Sequence, residues 1–282
     1  MRSQTPWKSR RTTAAVLDDL HVLICEPAQQ YHAQAGRYLS SHLLADFRKS
    51  PLLYHRKTQG RIKSEETPAY LVGRAAHTLI LEGREPFQAE FAVGGPVNPK
   101  TGNVYGANTK AFAEWAKAQR KPVLTDTQHE LVVRLAEGVR SHTFARELLS
   151  DGLPERVVRT KYGEVDCQIR MDWFDPVRGI VDLKTCDDLT WFEADARRYG
   201  YVHQLAFYRA VLTHAIGSRM PVHLIAVEKK EPFRCGVWEV SREVLGIAER
   251  DNERAIARLR ECAASGVWPT GYEEKRLLDS VA

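Results

Sequence analysis

Residues 164–185 read EVDCQIRMDWFDPVRGIVDLKT, and the spacing within that stretch decides the fold. From Glu164 to Phe174 polar and apolar residues alternate. Val165, Cys167, Ile169, Met171 and Trp173 face one way; Glu164, Asp166, Gln168, Arg170 and Asp172 face the other. A period of two held this long belongs to a half-buried strand. The shorter RGIVDLKT is a second strand, with Ile180, Asp182 and Lys184 on one face and Val181 and Leu183 on the other. The loop DPVRG between them suits a hairpin. Pairing Phe174 with Ile180 sets Asp172 opposite Asp182, with Cβ atoms roughly 5 Å apart.

That placement is chemically demanding. Asp182 sits inside the apolar run GIVDL, where a charge is costly unless it is paired or binds a metal. Two carboxylates this close repel unless a proton or a cation lies between them. A hard divalent cation suits such oxygens: Mg²⁺, with Mn²⁺ as its substitute, as one ion or two. Lys184, one pleat beyond Asp182, is placed to hold an attacking water or to neutralise charge developing on a phosphate. A lone D-x-K is more often a structural ion pair at a strand end. The partner strand carrying Asp172 shifts the balance toward a metal site. The strand before, ERVVRTK, joined through a turn at Tyr162-Gly163, puts Glu155 on the face of Asp172 and next to Arg170. There Glu155 is either a further ligand or the partner of Arg170.

Outward from this hairpin the chain divides in two. Ser41 caps a helix through HLLADFRK, Pro51 opens the next, and Pro68 opens AYLVGRAAHTLILEG, which stops at Gly83. Residues 86–108, rich in Gly, Pro and Asn, read as a long loop. Helical patterns return at KAFAEWAKAQR and TQHELVVRLAEGVRSHTFARELL. After the hairpin come a helix over 192–216, two strands at PVHLIAVEK and RCGVWEV, and a closing helix. The expected organisation is an arm and lead-in over 1–39, basic at its start, and a single domain over 40–270. That domain has a helical half (40–150), a sheet core (151–240) and a closing helix (241–265); a tail follows over 271–282. The fold class is α/β, a mixed sheet flanked by helices with an N-terminal helical layer.

Composition permits this and excludes other classes. The 282 residues are 43% hydrophobic and 27% charged, as in an ordinary globular chain. No apolar run approaches the ~20 residues of a spanning helix, and no secretory leader is legible, so the expected location is cytoplasmic, away from membrane. The five cysteines, Cys25, Cys167, Cys186, Cys235 and Cys262, are scattered, which argues against a zinc ribbon, an iron–sulfur cluster or a disulfide framework. A net charge of +5 allows nucleic acid as a partner without requiring it.

The ordered set of His77, Asp172, Asp182-Leu183-Lys184 and Gln204…Tyr208 resembles the active-site pattern of the PD-(D/E)XK nuclease superfamily, in its RecB-like branch. SPLLYH, GRAAHTLILEGREPF, RMDWFDPVRGIVDLKT, YGYVHQLAFY and the late VWP are similar to the RecE-type exonucleases (exonuclease VIII) of phage and prophage recombination. The resemblance implies a restriction-endonuclease-like core. It implies that His77, Asp172, Asp182 and the Leu183 carbonyl hold the metal, that Lys184 is catalytic, and that Gln204 and Tyr208 line the site. It also implies digestion of double-stranded DNA from free ends, 5′→3′, by a homo-oligomeric ring, leaving 3′ single strands for a single-strand annealing protein. Read alone, His77, Gln204 and Tyr208 pass for packing residues, and the residues by themselves support a phosphodiester hydrolase. Arg48, Lys49 and Arg56, with His55 and Lys57, are candidate phosphate contacts or simply a solvated face. An endonuclease of repair or restriction and a non-catalytic DNA-binding phage protein are the competing readings.

Overall fold

A computed structural model describes residues 21–62 and 68–277; the basic arm over 1–13 lies outside them. In chain order the elements are β1 (Ile24–Cys25), α1 (Ala28–Ala33), α2 (Ser41–Lys49), α3 (Pro51–Thr58), α4 (Pro68–His77), a π-turn (Thr78–Glu82), α5 (Arg84–Glu90), β2 (Ala92–Val93), α6 (Lys110–Gln119), β3 (Val123–Leu124), α7 (Asp126–Ser141) and α8 (Thr143–Leu148). Then follow β4 (Leu153–Tyr162), β5 (Val165–Asp175), β6 (Gly179–Cys186), a 3₁₀ turn (Leu189–Trp191), α9 (Phe192–Arg198), α10 (Tyr201–Ile216), β7 (Val222–Glu228), β8 (Cys235–Glu239) and α11 (Arg242–Ser265).

The sheet has the order β1-β4-β5-β6-β7-β8, and only β6 and β7 run parallel. Two apolar cores cover its faces. On one side Leu44 and Phe47 of α2, Leu205 to Leu212 of α10 and Leu245 to Cys262 of α11 pack on Ile169, Met171, Phe174 and Ile180. On the other, α4, the π-turn and α7 bury Ala75, Ala76, Leu79, Leu135 and Val139 against Val181, Leu183 and Ile225. The expected α/β architecture is what forms. Several of its helices start at a side-chain cap. The Ser40 and Ser50 hydroxyls accept from Leu43 and Leu53, and Thr125 and Gln128 form a reciprocal box. Among the described residues, no helix is long and apolar enough to cross a membrane.

Several local expectations shift. Ser40, not Ser41, is the first cap, and Ser41 is the first helical residue. The supposed loop over 86–108 begins as helix α5, because Phe87 and Phe91 are each 3% exposed and need burial, and β2 then pairs with β3. The helix over 192–216 breaks at Gly200, which takes φ 73° and lies against the Arg48 guanidinium. The turn between β4 and β5 is Gly163-Glu164, both at positive φ, one residue later than read. Positive φ at both positions is the type I′ form of a two-residue hairpin turn; Tyr162 stays in the strand, its hydroxyl donating to Glu253. The lead-in also reaches the sheet. β1 pairs with β4, the Leu39 backbone bridges Asp166 and Gln168, and buried Glu26 holds Arg159.

Candidate active site

The site forms where the hairpin stops being regular. Between β4 and β5 the paired residues include Arg156 with Met171 and Pro154 with Trp173, while Glu155 and Asp172 between them do not pair. Glu155 takes φ 55°, a left-handed conformation that costs a non-glycine residue roughly 1–2 kcal/mol. Sidedness changes at this point. Met171 faces the α10 core, but Trp173 joins the α4–α7 core, against the expectation that both share a face. The β5–β6 ladder has the expected register, Phe174 with Ile180, yet it ends at Trp173 with Val181. Asp172 and Asp182 are therefore not a ladder pair. The Asp172 carboxylate instead accepts the Leu183 N–H at 2.8 Å.

Two groups of side chains meet at this opening. His77, the last residue of α4, Glu155 of β4 and Asp172 of β5 each offer a ligand atom, all within 4.8 Å of one another. His77 Nδ1 is 3.5 Å from Asp172 Oδ2, and its ring faces the Leu183 backbone. Arg170 Nε lies 2.9 Å from Glu155, so Glu155 both joins the cluster and partners Arg170. In the second group, Asp182 is 1% exposed and meets Lys184 Nζ at 2.5 Å through Oδ2. Its Oδ1 accepts from Gln204 Nε2 at 3.2 Å, and the same amide donates to the Tyr208 hydroxyl at 3.1 Å. Lys184 Nζ lies 4.9 Å from the centre of the Tyr201 ring.

Burial and mutual charge set the protonation. The His77 imidazole is pushed down to about 4 by burial and then by Lys184, so it is neutral and free to ligate. Burial raises Glu155 to about 8, helped by Asp172 and opposed by Arg170. Asp172 is raised by burial, against Lys184 and the Leu183 amide. Asp182 is raised by burial as well, against Lys184. Burial lowers Lys184, but Asp182 and Asp172 outweigh it and hold the ammonium above its ordinary value. A neutral imidazole beside two carboxylates crowded above their usual range is a donor set that a divalent cation would relieve. The fit is best at His77, Glu155 and Asp172; Asp182 is already engaged by Lys184.

Thus His77, Glu155, Asp172, Asp182, Lys184, Gln204, Tyr208 and the Leu183 backbone come together. The expected phosphate contacts do not join them. Arg48 donates to the buried Asn252 side chain, Lys57 holds Asp46 at 2.8 Å, and His55 stacks on Trp268; Lys49 and Arg56 are exposed. The reading of the sequence missed His42 and Tyr201. His42, on the first turn of α2, keeps an exposed edge while its inner side is crowded by protein. Its pKa is lowered by that crowding and by Lys184, and raised in part by Asp182. Nothing in its local spacing marks it, since only the packing of α2 against the sheet brings it to the site.

No functionally curated protein matches the chain. A crystal structure of a candidate exonuclease from Eubacterium rectale is similar in fold, with a TM-score of 0.67 and 16% identity, over 92% of this chain and 96% of that one. The model of the PDDEXK-like domain of unknown function (DUF3799) matches residues 40–280, and the chain belongs to that family.

Proposed function

We propose that the protein is a divalent-metal-dependent deoxyribonuclease. In this reading it hydrolyses double-stranded DNA from free ends in the 5′→3′ direction and leaves 3′ single strands for an annealing protein, as the RecE-type exonucleases it resembles do. The observation that carries the nuclease reading is the His77–Glu155–Asp172 cluster beside the Asp182–Lys184 pair. Direction and ends rest on the motif resemblance.

His77, Glu155 and Asp172, with the Leu183 carbonyl, would hold Mg²⁺ or Mn²⁺. Such an ion would supply Lewis-acid polarisation of the phosphate and a bound water of lowered pKa. Lys184 stays protonated near neutral pH, so it offers positive charge to the phosphate oxygen on which charge develops rather than taking a proton. Asp182 fixes the ammonium, Gln204 fixes Asp182, and Tyr208 fixes Gln204. Linear duplexes with 5′-phosphate or 5′-hydroxyl ends, beside nicked and closed circles, with and without Mg²⁺, test the reading. Metal-dependent loss of the linear forms with circles intact is expected. Cleavage of closed circles would make the protein an endonuclease.

A further inference from the structure

A row of aromatic rings and cations runs outward from the site through the break between α9 and α10. Lys184 Nζ lies 4.9 Å from the Tyr201 ring, and Tyr201 stacks on Tyr199 with centroids 5.9 Å apart and planes 30° from parallel. The Arg198 guanidinium carbon sits 4.5 Å from the centre of the Tyr199 ring. Tyr201 is anchored inward on Phe192, which is 1% exposed. Tyr199 is held by no core: it is 58% exposed, Arg197 beside it faces solvent, and Arg198, also exposed, donates to the Tyr199 hydroxyl and pairs with Asp195 at 3.0 Å. The kink that creates this row depends on Gly200 at φ 73°.

We propose that Tyr199 and Tyr201 form a stacking platform for unpaired bases of the DNA strand entering or leaving the Lys184 site, with Arg197 and Arg198 beside its phosphates. The proposal rests on the nuclease reading above. An exposed aromatic pair flanked by two arginines complements an anionic polymer with flat, apolar bases. At roughly 3.4 Å of rise per stacked nucleotide, the row extends about three nucleotides from the lysine. Stacking on a ring is tolerant of sequence, because every base has a π-face. That suits an enzyme that must advance through any sequence, and it requires that the terminal pairs be open at the platform.

The test uses the full chain in Ca²⁺ with a fluorescein-labelled duplex carrying a four-nucleotide single-stranded end. A second copy has 2-aminopurine at each of the last three positions in turn. Tyr199→Ala is expected to weaken binding of the tailed duplex about ten-fold and to remove the change in 2-aminopurine fluorescence. Tyr199→Phe, which keeps the ring, retains both. Wild-type cleavage together with unchanged binding and fluorescence in Tyr199→Ala overturns the platform alone. A Tyr199→Phe variant that behaves like Tyr199→Ala also overturns it, since the hydroxyl and not the ring would then matter. A wild-type protein that neither binds nor cuts DNA overturns this inference and the nuclease reading together.

Discussion

Replacing Lys184 by Ala separates the structural from the chemical part of this site. Asp182 is 1% exposed and its charge is met by Lys184 at 2.5 Å and by one neutral donor, Gln204, at 3.2 Å. Removing one partner of a buried ion pair costs about 3–5 kcal/mol. Lys184 keeps 17% of its surface open, so the lower end, about 3 kcal/mol, is the expected loss. At ~2–4 °C per kcal/mol for a chain of this size, Tm should fall by roughly 6–12 °C in EDTA. The loss carries a pH signature. Burial already raises Asp182, and without Lys184 the carboxyl moves further up. A carboxyl whose folded pKa lies above its unfolded value loses stability as pH rises between the two. The deficit should therefore be small near pH 5 and grow toward pH 8 in scanning calorimetry. Mg²⁺ should recover part of the Tm by restoring positive charge, while nuclease activity stays at least ~100-fold down. A metal-free variant within about 2 °C of wild type across that range would refute the argument, because Asp182 would then not depend on Lys184 for its charge.

Glu155 is held at about 8 without metal, so Mg²⁺ or Mn²⁺ must displace nearly a whole proton at pH 6 but only about half of one at pH 8. Calorimetric titration in two buffers should show affinity rising and proton release falling over that interval, and affinity independent of pH would remove Glu155 from the ligand set. By the same sign, the metal-free protein should lose stability as pH rises from about 4.5 to about 8. His77→Ala, Glu155→Gln and Asp172→Asn should each lower activity at least ~100-fold in a fluorescent duplex assay; full activity in any of them would leave that residue outside the site. Glu164→Gly, at φ 62° in an exposed turn remote from the site, should gain up to about 1 kcal/mol in denaturant melts with activity unchanged, and a loss of stability would show that the turn conformation is not strained. Light scattering should find a closed homo-oligomer, since a net charge of +5 on 282 residues gives a weak electrostatic hold on long DNA. A strict monomer that still digests long duplexes without release would show that retention comes from elsewhere.

Much of the fold could be read from residue spacing, because strands and helices impose periods that apolar residues must follow. The register of the second hairpin followed from DPVRG alone, and the start of α3 from Pro51. The errors fall where a tertiary contact overrides a local rule. Phe87 and Phe91 draw a Gly- and Pro-rich neighbourhood into a helix because α7 offers them a core. Trp173 joins the second core just where the pairing lapses at Asp172, a change that alternation cannot signal. Arg48 looks like a surface cation on its own helix, yet Asn252, far along the chain, turns it inward. His42 and Tyr201 were invisible for a similar reason, since α2 and α10 bring them to Lys184 only after the sheet is built.

The irregularity at Glu155 and Asp172 explains why a plain hairpin would not make this site. In a regular ladder, Leu183 would give its N–H to a neighbouring strand, and Asp172 and Asp182 would stand side by side with nothing between them. The ladder ends one pair short, and the freed Leu183 N–H goes to Asp172 while the Leu183 backbone also meets His77. One residue of β6 thereby orients a carboxylate from β5 and an imidazole from α4. The left-handed turn of Glu155 places a second carboxylate on the same point from β4, and the ion pair with Arg170 offsets part of its backbone strain. Three donors from three elements converge because the sheet opens there. The neighbouring Asp182–Lys184 pair stays on the other core face, held by α10, so the ammonium stands beside the cation site without occupying it.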